Sequence, residues 1–228
     1  LLNYYASAIQ ISLLIKSGRL KIDAPWTGTR CTHVKLDILP TDDEFELIIK
    51  EVNSDTENDE KIEEFIKKDF YECVHYVKQE FEKFLKSSIP ETPDKLSTLR
   101  QTAGYLLWSS VVKPNGILKR PAIVMSKNWM TDIWSWDHCF NAIALSYKNP
   151  ELAWDQFMVM FDFQNDSGAL PDYVNDHEQC WNFSKPPIHG WTLRKLIENS
   201  AIDVKKLKEA YICLSNWTNW WLEYRDYD

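Results

Sequence analysis

Lys127-Asn-Trp-Met-Thr-Asp-Ile-Trp-Ser-Trp-Asp-His-Cys-Phe140, then Gly168-Ala-Leu-Pro-Asp172, then Lys185-Pro-Pro-Ile-His-Gly-Trp191: these three runs decide how the rest of the chain is read. Between residues 127 and 191 lie six of the 11 tryptophans, at positions 129, 134, 136, 154, 181 and 191, interleaved with seven aspartates. An indole offers a flat apolar face to the C–H face of a pyranose, and carboxylates accept hydrogen bonds from the sugar hydroxyls inside a dry cleft. A Trp-rich core surrounded by solvated acids would have the same composition, so composition alone leaves both readings open.

Outside that region the bulk properties set limits. A chain of 228 residues that is 44% hydrophobic can bury a full core, as one large domain or a piece of two. The net charge of -8 is spread along the chain rather than blocked, which points away from nucleic acid and anionic membranes as partners. No apolar run approaches the roughly 20 residues of a spanning helix. The apolar start, Leu1 to Ile15, lacks an initiator Met and a basic lead, so no signal peptide is read there and the first residue looks like a cut. Five scattered cysteines (31, 73, 139, 180, 213) are an odd number, which argues against a disulfide framework and for a reducing, cytoplasmic setting. His138-Cys139 and His177-x-x-Cys180 have no zinc-finger spacing, so neither metal nor cofactor is expected.

Periodicity divides the chain. Ala8–Ile15, Leu20–Ile22, His33–Leu39 and Phe45–Val52 read as strands separated by turns at Lys16-Ser-Gly18, Pro25-Trp-Thr-Gly28 and Pro40-Thr-Asp-Asp43, the end of a β-sandwich over residues 1–55. After a charged break at Asn53–Glu60, apolar residues recur at steps of three and four from Ile62 through Phe65, Ile66, Phe70, Cys73, Val74, Val77, Phe81 and Phe84 to Leu85. That spacing predicts one linker helix over Glu57–Lys86, within a linker segment 56–93 that closes at Pro90 and Pro93. From Asp94 the pattern is helical: one helix from Leu96 to Val112, then Trp136–Tyr147, Glu151–Phe163, Trp191–Asn199 and Asp203–Tyr224. The last has Leu207, Tyr211, Leu214, Trp217 and Trp221 on one face. Gln164 to Gly190 has almost no periodicity, and so long a loop inside a domain reads as functional.

In order along the chain, Trp134-Ser-Trp-Asp-x-x-Phe140, Gly168-Ala-Leu-Pro-Asp172, Lys185-Pro-Pro-Ile-His-Gly-Trp191 and Trp217-x-x-Trp-Trp-x-x-Tyr-Arg-Asp226 resemble glycoside hydrolase family 63 and its mannosylglycerate-hydrolase-like relatives. The resemblance covers roughly Leu96 to Asp228. It implies a mainly α fold, with residues 94–228 forming the first part of an (α/α)6 toroid whose loops at one end hold a terminal sugar. The activity it implies is hydrolysis, with inversion, of an α-linked glucose or mannose unit of an oligosaccharide or glycoside. Carried over, Trp136 would be a platform and Asp137 a hydroxyl acceptor, Gln164, Gly168 and Pro171 would shape the pocket wall, and Lys185, His189 and Trp191 would form the opposite rim. Each has a plainer alternative: a helix N-terminal acid for Asp137, a turn glycine for Gly168, and packing around Pro186-Pro187 for the rim. Inversion needs an acid and a base about 6.5–9.5 Å apart. The family's Ser-Gly-x-Asp type acid segment is not found, so both groups are expected beyond Asp228 and the chain reads as a fragment inactive alone. A non-catalytic sugar-binding or scaffolding toroid is the alternative.

Overall fold

A computed structural model of the chain describes residues 2–4, 9–52, 66–126 and 129–226. The chain is mainly helical with small sheets, and it divides into two compact units, Leu1–Lys78 and Gln79–Asp228.

In the first unit, β1 (Leu2–Tyr4), β2 (Ile9–Ser17) and β5 (Glu46–Val52) form one antiparallel sheet in the order β1-β2-β5, and β3 (Arg19–Asp23) pairs with β4 (Lys35–Leu39) in another. These strands stand where the end of a β-sandwich is expected. Thr41 and Glu44 exchange both backbone hydrogen bonds around Asp42 and Asp43, which have positive φ of 53° and 64°. Aspartate tolerates that left-handed geometry, and it matches the twist of a two-residue hairpin.

The expected linker helix is interrupted, and its first part, residues 57–65 with Ile62 and Phe65, lies outside the described residues. The chain breaks at Lys68–Asp69 before α1 (Phe70–Ser88) begins. The reason is a capping box: the Glu72 N–H donates to Asp69 Oδ1 at 2.8 Å and the Asp69 N–H to Glu72 Oε2 at 2.9 Å. These two bonds satisfy backbone donors that a longer helix would otherwise have bonded internally. Phe70, Val74 and Val77, counted in the apolar stripe, are exposed. At the other end the Arg100 guanidinium donates to the carbonyls of Leu85 (3.1 Å), Ile89 (3.1 Å) and Pro90 (2.8 Å), closing the last turn.

The second unit is built from helix hairpins. The end of α1 packs antiparallel on α2 (Ser97–Ser110), with Phe81 against Trp108 and Leu85 beneath Gly104. Then α3 (Asp137–Ser146) turns through three residues into α4 (Pro150–Met158), and α5 (His189–Asn199) turns through four into α6 (Val204–Tyr224). Asn149 caps α4, with Pro150 in its first turn, and Asp203 caps α6.

Side-chain contacts fix the direction of these hairpins. Ser88 and Asn149 bond at 2.9 Å, Ser146 and Asn199 at 2.8 Å, and Glu151 and Lys206 at 2.7 Å, so the short turns gather at one end. The starts of α3 and α5 therefore meet at the other end, His138 beside His189, where the long connections from α2 to α3 and from α4 to α5 also lie. Along those connections β6 (Val111–Val112) pairs with β7 (Ala122–Ile123), and β8 (Ile133–Trp134), β9 (Tyr173–Val174) and β10 (Gln179–Cys180) form a small antiparallel sheet.

The core between the hairpins contains Ile133, Ala142, Phe157, Met158, Met160, Leu196 and Trp217. On α6 the buried stripe runs through Ala210, Leu214, Trp217 and Trp221, while Tyr211, expected inside, is 72% exposed. The small Ala210, 0% exposed, occupies the helix position closest to the core, and Tyr211 points 100° away from it. Among the described residues no helix is long and apolar enough to cross a membrane.

Candidate functional site

The site end of the second unit is made by three backbone segments that the small sheet holds together. The Ser135 N–H donates to the Asp172 carbonyl at 2.9 Å, and the Asp172 N–H donates to the Cys180 carbonyl at 2.7 Å. The Asp172 carboxylate is thereby placed one residue from Trp136, at the start of α3. Its side chain is 6% exposed, and the Lys185 ammonium, 25% exposed, lies 2.8 Å from Oδ1. The ammonium sits out of line for a hydrogen bond, so the contact is ionic and Oδ1 accepts no aligned bond from the protein.

Lys185 acts on a second acid. Burial raises the Asp137 carboxyl above the ordinary carboxylate value, against the opposing pulls of its own backbone N–H, the Lys185 ammonium and the Trp136 side chain. Asp137 occupies the first turn of α3 and is half-buried, so the helix dipole and a sugar hydroxyl remain compatible partners for it. Around these charges the aromatic rings form a chain: Trp136 packs edge-on to Phe140 at 5.9 Å, and Phe140 edge-on to Trp191 at 6.2 Å. Trp191 and Phe140 are both about half exposed, so apolar ring faces stay open beside two carboxylates and one ammonium.

The structure thus brings Trp136, Asp137, Lys185 and Trp191 to one end of the hairpins. His189, expected on the rim, is instead buried at 0% exposure, its ring against His138 at 5.1 Å, Phe161 at 5.4 Å and Trp217 at 6.0 Å. The cause is that α5 begins at His189, two residues earlier than its periodicity suggests, and the first turn rotates this side chain inward. Gln164, Gly168 and Pro171 support the loop from behind. Gln164 Nε2 donates to the carbonyls of Gly168 (2.8 Å) and Cys213 (3.0 Å), which occupies its amide in tying the loop to α6. Gly168 has φ of 91°, and a Cβ there would lie 2.3 Å from the Asn216 carbonyl oxygen, so the close approach its backbone makes is to α6. Pro171 is buried beside Asp172.

Sequence reasoning quoted Asp172 and Phe140 inside their motifs without giving either a role. The acid that ends Gly-Ala-Leu-Pro-Asp172, next to a Pro that prevents helix, was the available signal. Another group could not be read from spacing. His138, Cys139 and His189 are all buried, and their ligating atoms lie within 4.8 Å of one another. Burial lowers the His138 ring to about 4 and pushes the Cys139 thiol up to about 12. It also holds His189 well below the ordinary imidazole value, with His138 as a second cause.

The family model of the mannosylglycerate hydrolase MGH1-like glycoside hydrolase domain matches residues 130–228. Over this stretch the chain is similar to the MGH1-like glycoside hydrolases. The match begins at Met130, just before β8, and takes in every residue named above at the site end of the second unit, including both carboxylates and the three aromatic rings. A glycosidase domain implies a carbohydrate substrate, which fits apolar ring faces set beside hydroxyl acceptors.

Proposed function

We propose that the site end of the second unit is the sugar-binding wall of an inverting glycosidase of the (α/α)6 toroid type, acting on an α-linked terminal glucose or mannose unit. The observation that carries the reading is the meeting of Asp137, Asp172 and Lys185 with the rings of Trp136, Phe140 and Trp191, at the end where the long connections lie. Short turns at one end and long, motif-bearing connections at the other are what a ring of helix hairpins requires, since only the long connections can reach over a central pocket.

In this reading the half-exposed indole of Trp191 and the partly buried indole of Trp136 take the C–H faces of the sugar, and Asp137 accepts from its hydroxyls. Lys185 pairs with Asp172 and donates outward to a ring or hydroxyl oxygen. Gln164, Gly168, Pro171 and His189 keep these groups in place from behind. None of the residues assigned here is given the role of catalytic acid or base, so this part of the site binds the sugar and the groups that turn it over lie outside this set. Five free cysteines support a cytoplasmic setting.

The test has two arms. Mannosylglycerate, the compound in the family's name, and methyl α-glucoside and α-mannoside are titrated into the chain while tryptophan fluorescence is followed. A saturable change lost in Trp191→Ala supports the site, and no response to any of the three removes it. Aryl α-glucosides and α-mannosides are then offered as substrates. Turnover by residues 1–228 comparable with that of a longer form would place the acid and base among the carboxylates present, with Asp137 the first suspect. Sugar binding by the longer form with no hydrolysis would favour the non-catalytic sugar-binding toroid.

A further inference from the structure

We propose that His138, Cys139 and His189 form a binding site for a thiophilic d10 metal ion, zinc(II) or copper(I), beneath the surface that carries Trp136, Asp137 and Trp191. All three side chains are buried and offer one nitrogen or sulfur each, with no two of these atoms more than 4.8 Å apart. The His138 tautomer is already set for ligation. Its Nδ1 donates to the Trp134 carbonyl at 2.9 Å, which leaves the Nε2 lone pair facing Cys139 Sγ at 3.6 Å. A backbone carbonyl orienting the far nitrogen of a histidine is the usual outer partner of a metal-bound imidazole.

His189 supplies the independent observation. It is 0% exposed, and neither Nδ1 nor Nε2 has a hydrogen-bond partner. The Ser135 carbonyl is near enough to act on the ring but is not aligned with either nitrogen. Its other neighbours, Phe161 and Trp217, are aromatic rings that offer no acceptor in the ring plane. A buried N–H and a buried lone pair left unmade cost about 1–3 kcal/mol each, and a bond from the lone pair to a metal removes one of those costs.

Metal–ligand bonds of about 2.0–2.3 Å require the three atoms to draw together by about an ångström at the widest pair. Both histidines and the cysteine stand on first turns of α3 and α5, where side-chain rotation alone provides that movement. Binding converts the Cys139 S–H to a metal thiolate and releases its proton to solvent. Copper(I) with one thiolate and two neutral imidazoles leaves no net charge in the buried site. Zinc(II) leaves one positive charge beside the Asp137 carboxylate and needs a fourth donor such as water. Either ion would pin the starts of α3 and α5 together, and those turns hold Asp137 and Trp191.

The chain, purified without a metal-binding tag and stripped by chelation, is titrated with zinc(II) against a competing chelator, and with copper(I) under anaerobic reducing conditions. Metal content is read by mass spectrometry, and cobalt(II) is used as a spectroscopic probe. The expected result is one equivalent per chain, a thiolate-to-cobalt charge-transfer absorption, and a thermal midpoint that rises with the bound ion. Cys139→Ser, a near-isosteric change, and His189→Gln should each weaken binding by more than the roughly 10–100-fold that loss of an outer partner costs, while Cys180→Ser and His177→Gln leave it intact. Absence of stoichiometric binding of both ions overturns the proposal, and so does cobalt bound without a thiolate band. The second readout needs only the wild-type chain, so the test stands even where a variant fails to fold. Retained affinity in folded Cys139→Ser would move the metal elsewhere and equally overturn it.

Discussion

Replacing Lys185 with Met removes the cation from Asp172 while keeping the length and apolar stem of the side chain. At 2.8 Å the pair's gross Coulomb attraction is about 6 kcal/mol at an effective dielectric of about 20. Desolvation of a carboxylate 6% exposed and an ammonium 25% exposed offsets a large part of it. Loss of the cation leaves the acid buried without a partner, so the single variant should lose about 2–4 kcal/mol, toward the low end because Lys185 is partly solvated. Asp172→Asn should lose less, because an amide costs less to bury than an unpaired carboxylate. The double variant should recover most of the Lys185→Met loss, giving a coupling energy of at least about 1.5 kcal/mol in a double-mutant cycle. Urea unfolding of the four proteins at neutral pH measures it. A coupling below about 0.5 kcal/mol would mean that Asp172 finds water in solution, and it would sink the claim that Lys185 is the partner this buried acid depends on. Sugar affinity, followed by tryptophan fluorescence, should fall in Lys185→Met and stay low in the double variant, since binding needs the charges and not only the fold.

Further outcomes follow from the same geometry. Gly168→Ala should destabilise the second unit by about 2–4 kcal/mol, from a positive φ and a Cβ set 2.3 Å from the Asn216 oxygen; a change under about 1 kcal/mol in chemical denaturation would show that the loop shifts freely off α6. Arg100→Ala should cost about 2 kcal/mol by freeing three carbonyls at the end of α1, and Arg100→Lys should restore less than half, since an ammonium lacks the fork that reaches them together. In a catalytically complete form, Asp137→Ala should lower kcat/KM by the equivalent of at least about 2 kcal/mol; unchanged kinetics with altered stability would assign Asp137 to the helix dipole. Asp69→Ala should cost about 1 kcal/mol through loss of the capping box of α1, and thermal unfolding that leaves the midpoint unmoved would contradict that start.

Local chemistry was enough to read much of this chain from its residues. Alternating β-branched runs up to Val52, the Asp42-Asp43 turn, Pro150 at a helix start and the helical periods after Asp94 each depend on neighbours a few residues away, and the observed elements begin and end within a few residues of their expected bounds. The start of α1 was equally local, since Asp69-x-x-Glu72 is a capping box, but ten residues at helical spacing concealed it. Tryptophans beside aspartates left a sugar site and a Trp-rich core both open until the ordered motifs showed the family resemblance, and the family match over residues 130–228 agrees with that resemblance. The parts that depend on which chain segments meet could not be had this way. Asp172 comes beside Trp136 and Asp137 only because the short β8-β9-β10 sheet, whose strands are two residues each, sets its backbone against Ser135. His189 turned from the rim to the core because α5 starts at it, two residues before the expected start, and the packing of that first turn sets its direction. The His138–Cys139–His189 group joins residues 50 positions apart through the parallel starts of two helices. Side-chain period encodes which face of an element is buried; the direction of a first turn and the partner across it are set by packing between elements, and no spacing within one element carries that information.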